Sequence, residues 1–320
     1  MINATNSKLY NLQSKKNLIY LLKIHDKDFF NQDYVAAHIH PYIDKRGKPR
    51  LIESPSLQLK KIQRNLKNEL AKIEVPYNVF SGIKGKSYVE NAEMHRKSNY
   101  IFKIDLTAFF PCIPRESVYT FFRKQLKTSP DIAQILTNLT TVDLTRCNIK
   151  KLESIEKFIL DKHIVTTNHL ISGSPTSQAL SYLVNTKMFD ELQYLCDKNK
   201  VIMSIYVDDI TFSSNHKISH KFKEIVYTII SKYMFKLSHN KIKYYTKDYP
   251  KLVTGPVISN GKLIIRNSLR FKIISEFKSL KKNPNKASYD RLKGLIVAAK
   301  QIDLNQYPNI SKYIKENPIH

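Results

Sequence analysis

A chain of 320 residues can bury a sizeable core and is long enough for two or three subdomains. Its 53 Lys and Arg against 27 Asp and Glu give a formal net charge of +26, spread along the whole length, which points to a polyanionic partner, most commonly nucleic acid. Three cysteines (Cys112, Cys147, Cys196) without CxxC spacing argue against a zinc knuckle or a disulfide framework, and no apolar run approaches a membrane span, so a cytoplasmic protein without membrane association is expected.

Taken in order, residues 8–24 read as an amphipathic helix with Leu9, Leu12, Leu18, Leu21 and Leu22 on its apolar side. Residues 35–52 turn strand-like around Asp44-Lys45-Arg46-Gly47. Ile62, Leu66, Leu70 and Ile73 then repeat at helical spacing beneath a basic face of Lys60, Lys61, Arg64 and Lys67. A loop with Ser81-Gly82 and Lys84-Gly85 leads to Ser87 and Glu90, a capping box that predicts a helix to about Lys97. Residues 100–106 alternate as a strand ending at Asp105, and Ile113-Pro114 opens another helix. Residues 129–165 read as two helices with a charged connection, and Ser174-Pro175 as the start of a long helix to about Cys196. A strand-turn-strand at 201–213, a helix at 217–233, strands at 241–246 and 252–258, and an Asn260-Gly261 hairpin turn follow. From 268 onward the pattern is helical and rich in lysine.

The chemistry concentrates in two places. Asp208 and Asp209 interrupt an otherwise β-branched, aromatic and sulfur-containing run, where adjacent carboxylates are tolerable only in water, beside a basic group or on a cation. Alone they are an exposed Asp-Asp turn. Asp105, at the end of a strand 103 positions earlier, changes the reading, because nucleotidyl transfer needs two cations about 3.5–4 Å apart and carboxylates from two neighbouring strands can bridge such a pair. The lysines and tyrosines of 241–247 suit either base stacking beside phosphate contacts or an ordinary amphipathic strand.

Asp105 with Phe109, Phe110 and Pro111, then Ser172-Gly173-Ser174-Pro175-Thr176-Ser177, then Tyr206-Val207-Asp208-Asp209, resemble in order the catalytic blocks of reverse transcriptases. Arg50, Ile52, Pro55, Leu59 and Gln63 match the family's preceding fingers block. Asn91-Ala92-Glu93-Met94-His95 fits NAxxH and Val253-Thr254-Gly255 fits VTG, two signatures that make the chain similar to bacterial retron reverse transcriptases. The resemblance implies an α+β right-hand polymerase: fingers over 1–98 with an N-terminal helical segment, a palm with an antiparallel sheet over 99–266 carrying a helical insertion at about 129–165, and a helical thumb over 267–320.

It also implies roles for residues. Asp105, Asp208 and Asp209 would be catalytic and hold two Mg²⁺ ions with the Leu106 carbonyl, and Lys241 would protonate the pyrophosphate, with Lys243 as competitor. Arg50, Phe110, Ser172 and Gly173 would bind the incoming nucleotide, Phe110 excluding ribose by its ring, a task for which Phe109 reads better as core. Asn91, His95, Val253, Thr254 and Gly255 would contact RNA. The implied activity is RNA-directed DNA synthesis on a cognate non-coding RNA, primed from an RNA 2′-hydroxyl to give branched RNA-DNA (msDNA), with dNTP substrates and a separate effector protein in antiphage defence. Alternatives are another bacterial defence or group II intron-like reverse transcriptase with different priming, or a non-catalytic RNA-binding scaffold. Two departures stand out: Ile171-Ser172 where the family commonly has Pro-Gln, and Ala108 where an acid is frequent.

Overall fold

Helices and antiparallel strands alternate in the computed structural model, which describes residues 2–80, 82–149 and 152–319; Ser81 of the expected loop lies outside the described residues. The first third runs α1 (Lys15–Leu22), α2 (Gln32–Ala37), a hairpin of β1 (Ile39–Asp44) and β2 (Arg50–Pro55), α3 (Leu57–Leu70) and α4 (Tyr88–Glu93). Then come β3 (Tyr100–Asp105), α5 (Arg115–Thr120), α6 (Pro130–Asn138), β4 (Thr141–Asp143), α7 (Leu152–Lys162), β5 (Asn168–Leu170), α8 (Ser177–Val184) and α9 (Thr186–Lys198). They are followed by β6 (Ile202–Tyr206), β7 (Asp209–Ser214), α10 (His220–Lys232), β8 (Lys243–Tyr245), β9 (Lys251–Leu252), β10 (Val257–Ser259) and β11 (Lys262–Ile264). Three helices complete the series, α11 (Asn267–Lys282), α12 (Lys286–Ile302) and α13 (Pro308–Glu316). No helix among the described residues is long and apolar enough to cross a membrane.

The central sheet has the order β6-β7-β3-β8 and is antiparallel throughout. Because side chains alternate across a strand, its two faces differ sharply. Phe102 and Phe212 stack on one face with centroids 5.6 Å apart, and α10 covers them with Tyr227 and Phe222. Cross-strand partners place Lys103, Asp105, Asp209, Thr211, Ser213 and Ser204 on the other. Burial of the apolar face joins the sheet to a main core that extends from Ala4 to Phe235. The three C-terminal helices have a core of their own, built on Ile273, Leu280, Leu292, Ile296 and Ile314, and a small third cluster of Ala92, Ile101, Val253 and Ile258 ties α4 to β3 and β10.

Several elements differ from the sequence-based expectation. Helix formation in the first segment starts only at Lys15, where the Ser14 hydroxyl accepts from the Asn17 amide. The capping box of Ser87 and Glu90 is present, but α4 stops at Glu93 and the chain continues to Ser98 as single tight turns. Ser174 does not cap a helix; its hydroxyl bonds Thr176, and α8 begins at Ser177. The expected long helix breaks at Asn185, whose side chain donates to the Ser181 carbonyl and so competes with the backbone ladder. Within 129–165 a short strand, β4, pairs with β5 beyond it. The strand expected at 252–258 is cut in two by the bend at Val253-Thr254-Gly255, so β9 and β10 run antiparallel. At Asn260-Gly261 both φ angles are positive, as a two-residue hairpin turn requires.

Candidate active site

The β6-β7 hairpin closes through only two residues, Val207 and Asp208. Val207 has φ +60°, a strained conformation for a β-branched residue, costing on the order of 1–3 kcal/mol. The turn holds because its flanking strands are paired and because the Leu106 amide donates to the Asp208 carbonyl at 2.9 Å. On the adjacent strand Asp105 lies directly opposite Asp209. The chain leaving β3 is pinned in turn: Ser238 N donates to the Asp105 carbonyl and Thr107 N to the Lys236 carbonyl, both at 2.8 Å. Asp105, Asp208 and Asp209 thus meet where β3 abuts the hairpin tip.

Electrostatics mark this point as unbalanced. Burial, and then the negative charge of Asp105, push the Asp208 carboxyl up to about 6. Asp209 is also raised by burial, although the Lys103 ammonium 2.9 Å from its Oδ2 works the other way. Lys241 Nζ stands 2.7 Å from each oxygen of Asp105. Two ammonium groups therefore sit against three carboxylates. Among the described residues no three His, Cys, Asp or Glu side chains converge to grip a metal. Facing carboxylates nevertheless fit, by their donor chemistry, a hard ion that keeps several waters and shares phosphate oxygens.

The other candidates are placed as follows. Phe109 is buried against Phe235 at 5.2 Å, whereas Phe110 stays part-exposed, its ring 6.1 Å from that of Phe109. Leu106 is brought to the acids by its backbone while its side chain is buried. Lys243 is exposed on β8 opposite Lys103, so Lys241 is the one on an aspartate. Arg50 is exposed at the start of β2 opposite Asp44, whose carboxyl is held low chiefly by Arg46 with a smaller contribution from Arg50. Ser172 and Gly173 rest on β2 and do not touch the acids. Lys103 went unnoticed in the sequence; it is two residues before Asp105 on an alternating strand, which already puts both on one face.

The NAxxH and VTG segments interlock. Asn91 donates to the Thr254 hydroxyl at 3.1 Å, Thr254 donates to the Tyr88 carbonyl at 2.9 Å, and a Cβ at Gly255 would come within 2.9 Å of the Tyr88 ring. Both nitrogens of His95 lie 2.7 Å from serine hydroxyls, Ser213 and Ser204, on the polar face of the sheet. Burial, and then the charge of Lys103, lower its pKa to about 3, so the ring is neutral. Asn91, His95 and Val253 are 0% exposed. Direct contact of these three with RNA, expected above, is therefore replaced by an internal brace; only Thr254 and Gly255 are partly accessible.

The sequence model of the family described as reverse transcriptase (RNA-dependent DNA polymerase) matches residues 38–290. Similar proteins include the retron Ec83 reverse transcriptase of Escherichia coli, 26% identical over 305 residues that span 92% of each chain. The retron Se72 reverse transcriptase of Salmonella heidelberg (strain 579083-10) is 26% identical over 68% of this chain and 53% of its own. For the retron Ec86 reverse transcriptase of Escherichia coli the figures are 27%, 69% and 63%. Among solved structures, a foamy viral protease-reverse transcriptase in complex with double-stranded DNA aligns over 87% of this chain and 38% of its own, with TM-score 0.47 and 18% identity. The family match runs through most of the chain and takes in all three acids at the hairpin tip, and on that ground this protein belongs to the reverse transcriptase family and is an RNA-directed DNA polymerase.

Proposed function

We propose that this polymerase serves a retron: it copies part of a cognate structured RNA into DNA from a 2′-hydroxyl of that RNA, leaving a branched RNA-DNA (msDNA), and acts in antiphage defence beside a separate effector protein. Similarity to the retron Ec83 enzyme over nearly the whole chain supports the reading, as does the interlocking of the two retron-type signatures. With its three cysteines unpaired, the cytoplasm is its fitting compartment. Residues 1–98 would be fingers, 99–266 palm and 267–320 thumb, a division supported by the separate core of α11 to α13.

Reverse transcriptases use divalent metal ions; two Mg²⁺ held by Asp105, Asp208 and the Leu106 carbonyl would supply charge for the attacking and leaving oxygens. Everything else falls to the chain itself. Asp209, held by Lys103, keeps the acidic cluster in register. Lys241, which bonds Asp105 here, would hand a proton to departing pyrophosphate once phosphate competes for its ammonium. The part-exposed Phe110 ring would wall off a 2′-hydroxyl. Arg50 would take triphosphate oxygens bidentately, with Ser172-Gly173 shaping the pocket. Since Asn91, His95 and Val253 are internal, RNA selection would use the surface they support, with Thr254 and Gly255 at its edge.

The observation that carries this proposal is the meeting of Asp105 with the Asp208-Asp209 turn. Its test is Mg²⁺-dependent dNTP incorporation on RNA, together with sequencing of the nucleic acid that co-purifies. Covalently branched RNA-DNA is expected; linear cDNA alone would move the protein to another class of reverse transcriptase, and RNA binding without synthesis would make it a scaffold.

A further inference from the structure

Two ionisable groups outside the acid cluster are wholly enclosed. Glu53, on β2, and His169, on β5, are both 0% exposed, and His169 Nε2 lies 2.6 Å from Glu53 Oε1. His169 Nδ1 sits 3.0 Å from the Thr166 carbonyl, which can only accept, so this nitrogen carries a proton and Nε2 carries a second when Glu53 is ionised. Burial alone would lower the His169 pKa; the carboxylate outweighs it and the pKa is raised. A buried ion pair contributes little to stability compared with an apolar pair of the same size, so what this one does is read from the groups it holds.

The geometry it fixes is that of the second catalytic block. The other carboxylate oxygen, Glu53 Oε2, accepts from Ser172 N at 2.7 Å. Ser172 Oγ in turn accepts from Glu53 N and donates to the Leu51 carbonyl, each at 3.0 Å. These backbone groups belong to the edge of β2 that β1 leaves free, and Ser172 fills it as a missing strand would. Gly173 follows so closely that a Cβ there would lie 2.3 Å from the Glu53 carbonyl oxygen. Where the family commonly has Pro-Gln, this chain has a serine clasped from both sides by one glutamate.

We propose that Glu53, through His169, is a positioning residue for the nucleotide site: it locks the Ser172-Gly173 loop onto β2, so that this loop and Arg50 at the head of the same strand move as one body. The inference rests on the assignment of Arg50, Ser172 and Gly173 to the incoming nucleotide. Glu53 touches no substrate; its effect is transmitted through the placement of two groups that do.

Steady-state incorporation on a fixed template-primer tests it. Glu53→Ala is expected to raise KM for dNTP about tenfold with kcat changed less than about threefold, and to leave template-primer affinity as it was. Glu53→Gln is expected to return KM to within about threefold of wild type, because its amide can donate to neutral His169 while its oxygen keeps the Ser172 amide. Ser172→Ala, part-exposed and mild, should raise KM by itself and add little on top of Glu53→Ala. An unchanged KM in Glu53→Ala or, should that variant fail to fold, in Ser172→Ala overturns the proposal; so does a loss in Glu53→Ala that Glu53→Gln does not repair. Absence of incorporation by the wild-type protein in the same assay would instead sink the functional reading on which the clamp depends.

Discussion

The polar face of the β6-β7-β3-β8 sheet treats its two ends in opposite ways. At the hairpin tip three carboxylates crowd two lysines, and Asp208 is pushed up to about 6 by burial and by Asp105. Toward the other end His95 finds a hydroxyl for each ring nitrogen and stays neutral, and Ser98 donates to Ser213 to close the network. Lys103 stands between, holding Asp209 on one side and disfavouring protonation of His95 on the other. A polar group whose partners all come from its own chain serves the fold. An excess of one charge gathered at the edge of a sheet is an opening for something brought from outside.

The sharpest way to break this contrast is Asp208→Asn. If the tip is electrostatically unsatisfied, removing a repelled charge leaves thermal stability equal or higher, while primer extension falls by at least about 10³-fold. A destabilised variant that still extends primers would show that Asp208 belongs to the fold and not to the chemistry. At the braced end the signs reverse. His95→Ala leaves the buried Ser204 hydroxyl without a partner, Ser213 with Ser98 alone, and a cavity, and should cost about 3 kcal/mol in a denaturant titration. The folded fraction of that variant should extend primers at close to the wild-type rate.

Neighbouring rings sharpen the same comparison at smaller scale. Phe110→Ala should admit ribonucleotides, lowering the dNTP preference by up to about 10²-fold, as judged by parallel extension with either substrate. Phe109→Ala, which empties a buried contact with Phe235, should act on stability and leave that preference where it was. Equal sugar selectivity in all three proteins would place the barrier to ribose elsewhere.

What the sequence made legible follows the range of the forces involved. Ser87 and Glu90, three residues apart, announced a cap that local hydrogen bonds build, and Asn260-Gly261 announced a turn through their own φ angles. The acids were readable because strand alternation and an order of blocks survive in one dimension. Glu53 and His169 were not, since 116 positions separate them and nothing local requires either. Nor could the sequence tell that Asn91 and His95, four apart on one stretch, face inward to Thr254 and to the serines of β6 and β7; only the packed sheet decides that. Asn185 as a helix break depends on one side chain competing with the backbone, a contest whose outcome composition leaves open.

The smallest effect concerns acid. Burial and Lys103 keep folded His95 unprotonated down to about pH 3, whereas in the unfolded chain the imidazole takes up a proton near its ordinary 6.5. Between those values the unfolded state binds more protons, so the His95 contribution is whole above pH 6.5 and is lost as pH falls, by about 1 kcal/mol over the unit from 6.5 to 5.5. His169 carries the opposite sign: its raised pKa gives a contribution present below 6.5 that is lost as pH climbs through the folded value. A scan of the wild-type protein mixes the two. Comparing it with His95→Gln at both pH values cancels His169 and every carboxylate common to the pair, and the stability gap should narrow by about 1 kcal/mol at pH 5.5. A gap that stays constant would mean that His95 already accepts a proton in the folded protein, and the contrast between a satisfied brace and an unsatisfied acid cluster would then lose its braced half.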